Sequence, residues 1–321
     1  MMDWVRVIDK ENKIIFINKA MAEGLKNSKT GEYCYKILGR DEPCENCISR
    51  ESIFKGYSHS KQEIINGRIF SVMSSPVKNK DGEIIAAVEV LRDITEFQKL
   101  QEKVILQNKK LMDDLSLAKK LQCNLLPKAN PDSRLKFAFV YQPCEDLGGD
   151  FLDIFEVDND HTGIYIADVS GHGLSASMLT VFLRSAIDKK TLSPSLALSK
   201  LYEDFNNSNF GQEAYITVFY AIINLKDHTI KYSNAGHNVC PIIFNPEDPN
   251  RFEQLMIPGT PISNWFEKTD YKEKDLSLMK GDRLFFCTDG VIELKNKKGD
   301  QFGEDRILIY FSPINRNQAA H

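Results

Sequence analysis

An uninterrupted helical segment divides this sequence into two strand-rich parts. Between Thr95 and Leu126 the sequence contains no glycine or proline, and the first residue to interrupt the run is Pro127. Such a segment predicts one long helix, because glycine and proline are the residues that most often end helices. With 321 residues, the chain also exceeds the size at which one hydrophobic core usually suffices. The sequence therefore predicts two domains joined by a helical linker.

Composition and charge restrict the class of protein. Lysine and arginine together number 41 and the acidic residues 45, which leaves a net charge of −4, so the basic excess of a nucleic-acid-binding protein is missing. No apolar run approaches the roughly 20 residues of a membrane helix, and the first residues do not have the pattern of a signal peptide. The odd number of cysteines, seven, argues against a disulfide framework. We therefore expect a cytoplasmic protein with no nucleic-acid or membrane partner.

Apolar residues recur at every seventh position of the linker. They are Phe97, Val104, Leu111, Ala118 and Leu125. The companion positions of this seam are apolar at both ends and polar in the middle, at Gln107 and Asp114. The pattern is typical of a coiled coil whose polar seam positions lower stability and help to fix register. A homodimer formed through this helix is predicted, and an amphipathic helix packed on its own domain is the alternative.

The N-terminal part has the pattern of an antiparallel sheet with short helices. Trp4–Ile8 and Lys13–Ile17 flank a turn-forming segment, and Arg68–Ser75 and Glu83–Val90 flank an Asp-Gly turn that is typical of a hairpin. The order of elements, ending in Asp93-Ile94-Thr95 directly before the helix, resembles a PAS sensory domain. That resemblance implies a signal-sensing module.

The C-terminal part alternates short apolar strands with two helices. The predicted strands are Phe137–Tyr141, Gly163–Ala167, Tyr215–Ile223 and Arg283–Cys287, and the predicted helices are 173–190 and 194–207. Several strands, two helices and further strands indicate a layered α+β domain rather than a βαβ repeat.

Three aspartates lie beside glycine, each close to the end of a predicted strand. Asp150 follows two glycines, Asp168 follows the strand Gly163–Ala167, and Asp289 precedes Gly290. Carboxylates without histidine or cysteine companions suit hard cations such as Mg²⁺ and Mn²⁺. Turn aspartates that cap a helix or close a loop are the alternative interpretation.

Four motifs around these aspartates occur in the order typical of one enzyme family. They are Gly148–Asp153, Ala167–Gly173, Asn234–Asn238 and Gly281–Glu293. Together they resemble the PPM (PP2C-type) serine phosphatases of the bacterial stress-response and sporulation branch, the RsbU/SpoIIE-like branch. The resemblance implies a β-sandwich flanked by helices, in α-β-β-α layers. The predicted organisation is therefore a PAS-like domain over residues 1–96, a linker over 97–127 and a phosphatase domain over 128–321.

The resemblance also implies roles for individual residues. Asp150, Asp168 and Asp289 would be the catalytic residues, with two Mn²⁺ or Mg²⁺ ions as cofactors. Asp168 would bridge the two ions, the Val169 carbonyl would bind the first, Asp289 would bind the second, and Asp150 would hold water around the first. The implied substrate is a phosphoserine on an anti-anti-sigma protein with a STAS domain. His172 and His237 would act either as a general acid or in loop-ordering hydrogen bonds.

One departure from the family pattern concerns the C-terminus. The family domain usually ends in a strand with a further aspartate of the second metal site, and no such motif follows Asp305. The chain is therefore expected to lack that strand. The alternative function is a catalytically weak or inactive scaffold that signals through PAS and coiled-coil contacts.

A cysteine group in the N-terminal part suggests a second site. Cys44 and Cys47 are separated by two residues, and Cys34 and His59 could complete four ligands for zinc. An iron–sulfur centre, a redox pair and ordinary loop cysteines are the alternatives.

Overall fold

The structure is a computed structural model that describes residues 3–25, 29–128 and 134–312. The chain separates into two units, Met1–Leu111 and Met112–His321. This division falls inside the long helix, so the predicted boundaries after residues 96 and 127 stay predictions. Among the helices of the described residues, none is long and apolar enough to cross a membrane.

The N-terminal unit contains a five-stranded antiparallel sheet in the order β2-β1-β5-β4-β3. Its strands are β1 (Trp4–Asp9), β2 (Ile14–Ile17), β3 (His59–Ile65), β4 (Arg68–Lys78) and β5 (Ile84–Asp93). Its short helices are α1 (Lys19–Gly24) and α2 (Ile48–Lys55). Ile48 of α2 joins Phe70, Val72 and Leu91 of the sheet in one core cluster. The pairing of β1 with β2 and of β4 with β5 confirms both predicted hairpins, and the sheet with its short helices agrees with the antiparallel arrangement predicted for this part.

Helix α3 (Thr95–Leu125) confirms the long helix that the sequence predicts. The side chain of Asp93 fixes its start, because it accepts hydrogen bonds from the Thr95 backbone N–H at 3.0 Å and from its hydroxyl at 2.6 Å. Gln122 is the one buried residue of this helix, all of which is described.

The C-terminal unit contains two antiparallel sheets. The larger consists of β6 (Phe151–Glu156), β7 (His161–Val169), β8 (Tyr215–Asn224), β9 (Thr229–Ala235), β12 (Ile262–Ser263) and β13 (Lys274–Ser277). The smaller consists of β10 (Ile242–Phe244), β11 (Phe252–Gln254) and β14 (Arg283–Phe285). The helices are α4 (Gly173–Ala186), α5 (Pro194–Asn207), α6 (Asp289–Ile292) and α7 (Glu304–Phe311).

Strand β8 shows how these layers are held together. Its side chains alternate between two cores, as expected for a strand buried on both faces. Tyr220 packs with Leu183 of α4, and Phe219 belongs to the core that contains Ile243 of β10. Ile307 of α7 packs on the other side of the smaller sheet. The layer order α-β-β-α predicted from the family resemblance is therefore confirmed.

Several predicted elements and boundaries are wrong, among them the strand predicted over Arg283–Cys287, which ends at Phe285. Residues 137–141 form no strand, and Val140 is 90% exposed, because β-propensity alone does not supply a pairing partner. The helix predicted over 173–190 ends at Ala186. Asp168 lies inside β7 rather than after it, since its pairing with Thr217 extends the strand by two residues.

Candidate metal centre

The structure brings the three predicted aspartates together at one end of the larger sheet. Asp150 directly precedes β6, and Asp168 is the penultimate residue of the neighbouring β7. The register pairs Phe151 with Ala167, so Asp150 and Asp168, the next residues along the two strands, lie opposite each other at this end of the sheet. The hydroxyl of Thr288 donates to Asp150 Oδ2 at 2.9 Å, which brings the start of α6, with Asp289, to the same place.

Gly149 allows two loops of this centre to pass at close range. A Cβ on Gly149 would lie 2.6 Å from the Val169 carbonyl oxygen and 3.3 Å from the Gly171 carbonyl oxygen. Gly171 has a φ of 85°, a conformation that glycine adopts without the steric cost of a side chain. The Val169 carbonyl therefore faces the segment that holds Asp150, next to the two carboxylates.

We expect Gly149→Ala to separate these loops. The added methyl group would contact backbone oxygen rather than a side chain that could move, so the unfolding free energy should fall by about 1–3 kcal/mol. Gly211→Ala is the matched control, because a Cβ at Gly211 would meet no atom within 4 Å. Equal urea midpoints for the two variants would show that the close approach does not constrain the loop.

Burial and mutual repulsion perturb the carboxyl groups. Burial, followed by the charges of Asp150 and Asp289, raises the pKa of Asp168 to about 7. Burial also raises the pKa of Asp150, although hydrogen bonds from Thr288 and with Asp168 oppose the change. Because adjacent, half-buried carboxylates repel each other when both are ionised, the pair holds a proton near neutral pH.

The donor set of this centre fits a hard divalent cation at the Asp150–Asp168 pair. Oxygen ligands suit Mg²⁺ and Mn²⁺, and a cation would relieve the repulsion that raises the pKa of Asp168. Across the described ranges, no group of three or more His, Cys, Asp or Glu side chains is arranged to hold a metal ion. The same finding gives the zinc and iron–sulfur alternatives for Cys34, Cys44 and Cys47 no support.

Three further side chains belong to this centre; all three lie within the sequence motifs, but no role was predicted for them. Thr288 orients Asp150. Asn238 donates from Nδ2 to Asp289 Oδ2 at 3.2 Å. The charge of Glu293 contributes to the raised pKa of Asp168. Their proximity arises from tertiary packing, so no local periodicity could have identified them.

The two histidines occupy different environments. His237 is buried, which lowers its pKa, and its Nε2 donates to the Cys287 carbonyl at 3.1 Å. Its backbone N–H donates to the side chain of Asn234 at 2.8 Å. His237 thus joins the turn after β9 to the segment before Asp289, which favours the loop-ordering role. His172 is exposed, and its Nδ1 lies 3.1 Å from Glu145.

Gln122 of α3 holds the loop that precedes Asp150. Its Nε2 donates to the Gly148 carbonyl at 2.8 Å, and its Oε1 accepts from the Gly148 N–H at 3.2 Å. The same Nε2 lies 3.1 Å from the hydroxyl of Thr180 in α4. Arg184 of α4 also donates to the carbonyl of Leu125, the last residue of α3. The end of the linker helix is thus attached to the loop and to the helix that flank the aspartate pair.

Comparison with known proteins places this arrangement in a family. RsbP, a phosphoserine phosphatase of Bacillus subtilis (strain 168), is 28% identical over 187 residues, which are 56% of this chain and 45% of RsbP. RsbU, a phosphoserine phosphatase of the same organism, is 28% identical over 193 residues, which are 59% of this chain and 56% of RsbU. The chain thus spans about half the length of these curated relatives.

Fold and sequence comparisons agree on the C-terminal unit. The SiaA-PP2C domain of Pseudomonas aeruginosa superimposes with a TM-score of 0.54 at 21% identity, covering 63% of this chain and 81% of that domain. This likeness shows the fold. The family model described as Stage II sporulation protein E matches residues 158–320, half of the chain. The chain therefore belongs to the SpoIIE family, whose domain is of the PP2C type.

Proposed function

We propose that this chain is a metal-dependent protein serine phosphatase that hydrolyses phosphoserine on a STAS-type regulatory protein under the control of its PAS-like unit. The observation that carries the proposal is the half-buried Asp150–Asp168 pair at one end of the larger sheet, with Asp289 beside it, in a domain of the SpoIIE family. The names of RsbP and RsbU, both phosphoserine phosphatases, support the reaction class. The family resemblance supports the STAS-type substrate, and the odd number of mostly scattered cysteines fits the cytoplasmic location that is part of the proposal.

Some groups of this centre would bind the cations, and others orient the groups that bind them. Asp150, Asp168 and the Val169 carbonyl would hold the first Mn²⁺ or Mg²⁺, and Asp168 and Asp289 the second. Bound there, the cations would supply Lewis-acid activation of water and neutralise charge on the phosphoryl group. Thr288 keeps one Asp150 oxygen in a fixed direction through its hydrogen bond. This arrangement requires no nucleophilic side chain and therefore no covalent enzyme intermediate.

Control by the PAS-like unit is supported by the way α3 is fixed at its two ends. At its start, the Thr95 hydroxyl accepts from the Ile69 backbone N–H of β4 at 2.9 Å. Near its end, Gln122 binds Gly148, two residues before Asp150. A change in the sheet of the N-terminal unit can thus act on the start of a helix whose other end contacts the loop of the proposed centre.

The test is phosphate release from a STAS-domain protein phosphorylated on serine, measured with the whole chain. We expect release with Mn²⁺ or Mg²⁺, none after chelation, and none from Asp168→Asn. A phosphothreonine version of the substrate tests the preference for serine. No release with either ion, from a chain that gives a single cooperative unfolding transition, would favour the signalling scaffold instead.

The proposal includes a homodimer formed through α3. Along its seam, Phe97 is 65%, Val104 53% and Leu121 58% exposed in the single chain, an arrangement that a second copy of the helix would cover. We expect the wild-type chain to be dimeric and Val104→Glu to shift it to monomers by at least tenfold in dissociation constant. Ser116→Glu, which adds the same charge at an exposed position off the seam, should remain dimeric. Sedimentation velocity measures the oligomeric state of both variants. A Val104→Glu chain that stays dimeric would contradict dimerisation through this seam.

A further inference from the structure

Two cysteines of the N-terminal unit occupy the ends of a turn directly before α2. Glu45 and Asn46 are the central turn residues, with Cys44 before them and Cys47 after them. A four-residue turn keeps its first and last Cα atoms within about 7 Å. A disulfide spans Cα separations of about 4.4–6.8 Å. The turn thus limits the Cα separation of Cys44 and Cys47 to a range that overlaps the span of a disulfide.

A positive charge lies against the first of these thiols. Arg40 Nη1 donates to Cys44 Sγ at 3.0 Å, and the same guanidinium pairs with Glu63 of β3. Lys61 Nζ donates to the Asn46 carbonyl at 3.4 Å. Arg40, through Glu63, and Lys61 therefore connect the turn to strand β3 of the sheet. Arg40 therefore places a cation in hydrogen-bond contact with the sulfur that would attack in thiol–disulfide exchange.

The second thiol belongs to the start of a helix that covers buried polar groups. Cys47 is the residue before α2, and its side chain makes no capping hydrogen bond there. Ser49 of α2 donates to Glu89, which forms a buried ion pair with Arg6 at 2.7 Å. Partial exposure of both Cys44 and Cys47 leaves them open to small reagents. A covalent change at Cys47 would therefore act on the helix that covers the Arg6–Glu89 pair.

The third cysteine of the group is excluded as a reactant. Cys34 is 5% exposed, and burial raises the pKa of its thiol to about 12. It is therefore neither ionised near neutral pH nor accessible. Of the three cysteines, only Cys44 and Cys47 therefore remain as candidates for a reaction.

We propose that Cys44 and Cys47 form a reversible disulfide by exchange with low-molecular-weight disulfides. The Cys44 thiolate attacks one sulfur of the small disulfide, forming a mixed disulfide and releasing one small thiol. The Cys47 thiolate then attacks Cys44 Sγ and releases the second small thiol. The protein loses two electrons and two protons, which the small disulfide gains as it becomes two thiols, and excess small thiol reverses both steps.

Oxidised and reduced glutathione serve as the probe for the whole chain. After incubation with excess oxidised glutathione, acid quenching and alkylation, peptide mass spectrometry should find Cys44 and Cys47 joined and two hydrogens lighter. The exposed cysteines Cys123 and Cys144 are internal controls, which should form mixed disulfides only. Cys47→Ser should stop the reaction at a glutathione adduct on Cys44. Arg40→Gln should slow bridging about tenfold, while Arg40→Lys should retain most of the rate.

Each remaining outcome contradicts the proposal. Full alkylation of both thiols, or glutathione adducts on both without a bridge, would exclude a redox pair. Protection of Cys34, Cys44 and Cys47 that disappears on chelation would identify a metal site in place of the disulfide. None of these readouts depends on phosphatase activity, so the result stands apart from the proposed function.

Discussion

Replacing Asp168 by asparagine should abolish phosphatase activity and stabilise the metal-free chain. Loss of the carboxylate shared by both proposed cation sites removes several kcal/mol of transition-state stabilisation, a fall in kcat/KM of about 10³-fold or more. Stability should change in the opposite direction, because the wild-type carboxylate is buried against Asp150 and Asp289. At pH 8 the asparagine relieves that repulsion, for a gain on the order of 1–2 kcal/mol after solvent screening.

The same variant should change how the stability of the metal-free chain depends on pH. Between the ordinary aspartate pKa of 3.8 and about 7, the folded chain retains a proton on Asp168 that the unfolded chain has released. The unfolding free energy should therefore fall as the pH rises through this window. In Asp168→Asn, this contribution to the pH dependence of the unfolding free energy should disappear.

Urea unfolding in EDTA and phosphate release in Mn²⁺ measure the two effects. Asp275→Asn is the matched control, since Asp275 is exposed on β13 and lies 4.0 Å from Lys231. We expect it to leave activity and the pH profile unchanged. An Asp168→Asn chain that is active, or that is less stable than wild type at pH 8, would contradict the assignment of Asp168 to a repulsive carboxylate cluster.

The parts of the fold with strong local signals could be predicted from the sequence. Strand β8 was recognisable because its run of apolar residues matches a strand buried on both faces. Helix α3 was recognisable because glycine and proline are missing from it. The segment 137–141 has the same local signal as β8 but no partner strand, so pairing, which is a tertiary property, decided the outcome.

The candidate centre was predictable to the same degree. Asp150, Asp168 and Asp289 stand in sequence motifs, and the structure brings them together. Thr288 and Glu293 lie within the motif Gly281–Glu293, but no pattern in it distinguishes them as members of the centre. The role of Gln122 is the one that the sequence could least predict, because a polar residue on an amphipathic helix normally faces solvent. Its burial depends on Gly148, 26 residues away, whose backbone groups need hydrogen-bond partners.

Replacing Gln122 by alanine should therefore destabilise the C-terminal unit. The truncation leaves the buried N–H and carbonyl of Gly148 without the side chain that binds both. An unsatisfied buried group costs about 1–3 kcal/mol, so a loss of about 2–4 kcal/mol is expected. Because Asp150 is two residues from Gly148, the Mn²⁺ concentration for half-maximal activity should also rise.

Gln101→Ala is the matched control for this variant, since Gln101 is an exposed glutamine of the same helix that lies outside the heptad seam. It removes the same chemical group with the same change in helix propensity, so the difference between the two variants isolates the contacts to Gly148. Urea unfolding and Mn²⁺ titration of phosphate release measure both quantities. If Gln122→Ala unfolds at the same urea concentration as Gln101→Ala, Gly148 finds other partners, and α3 does not set the position of Asp150.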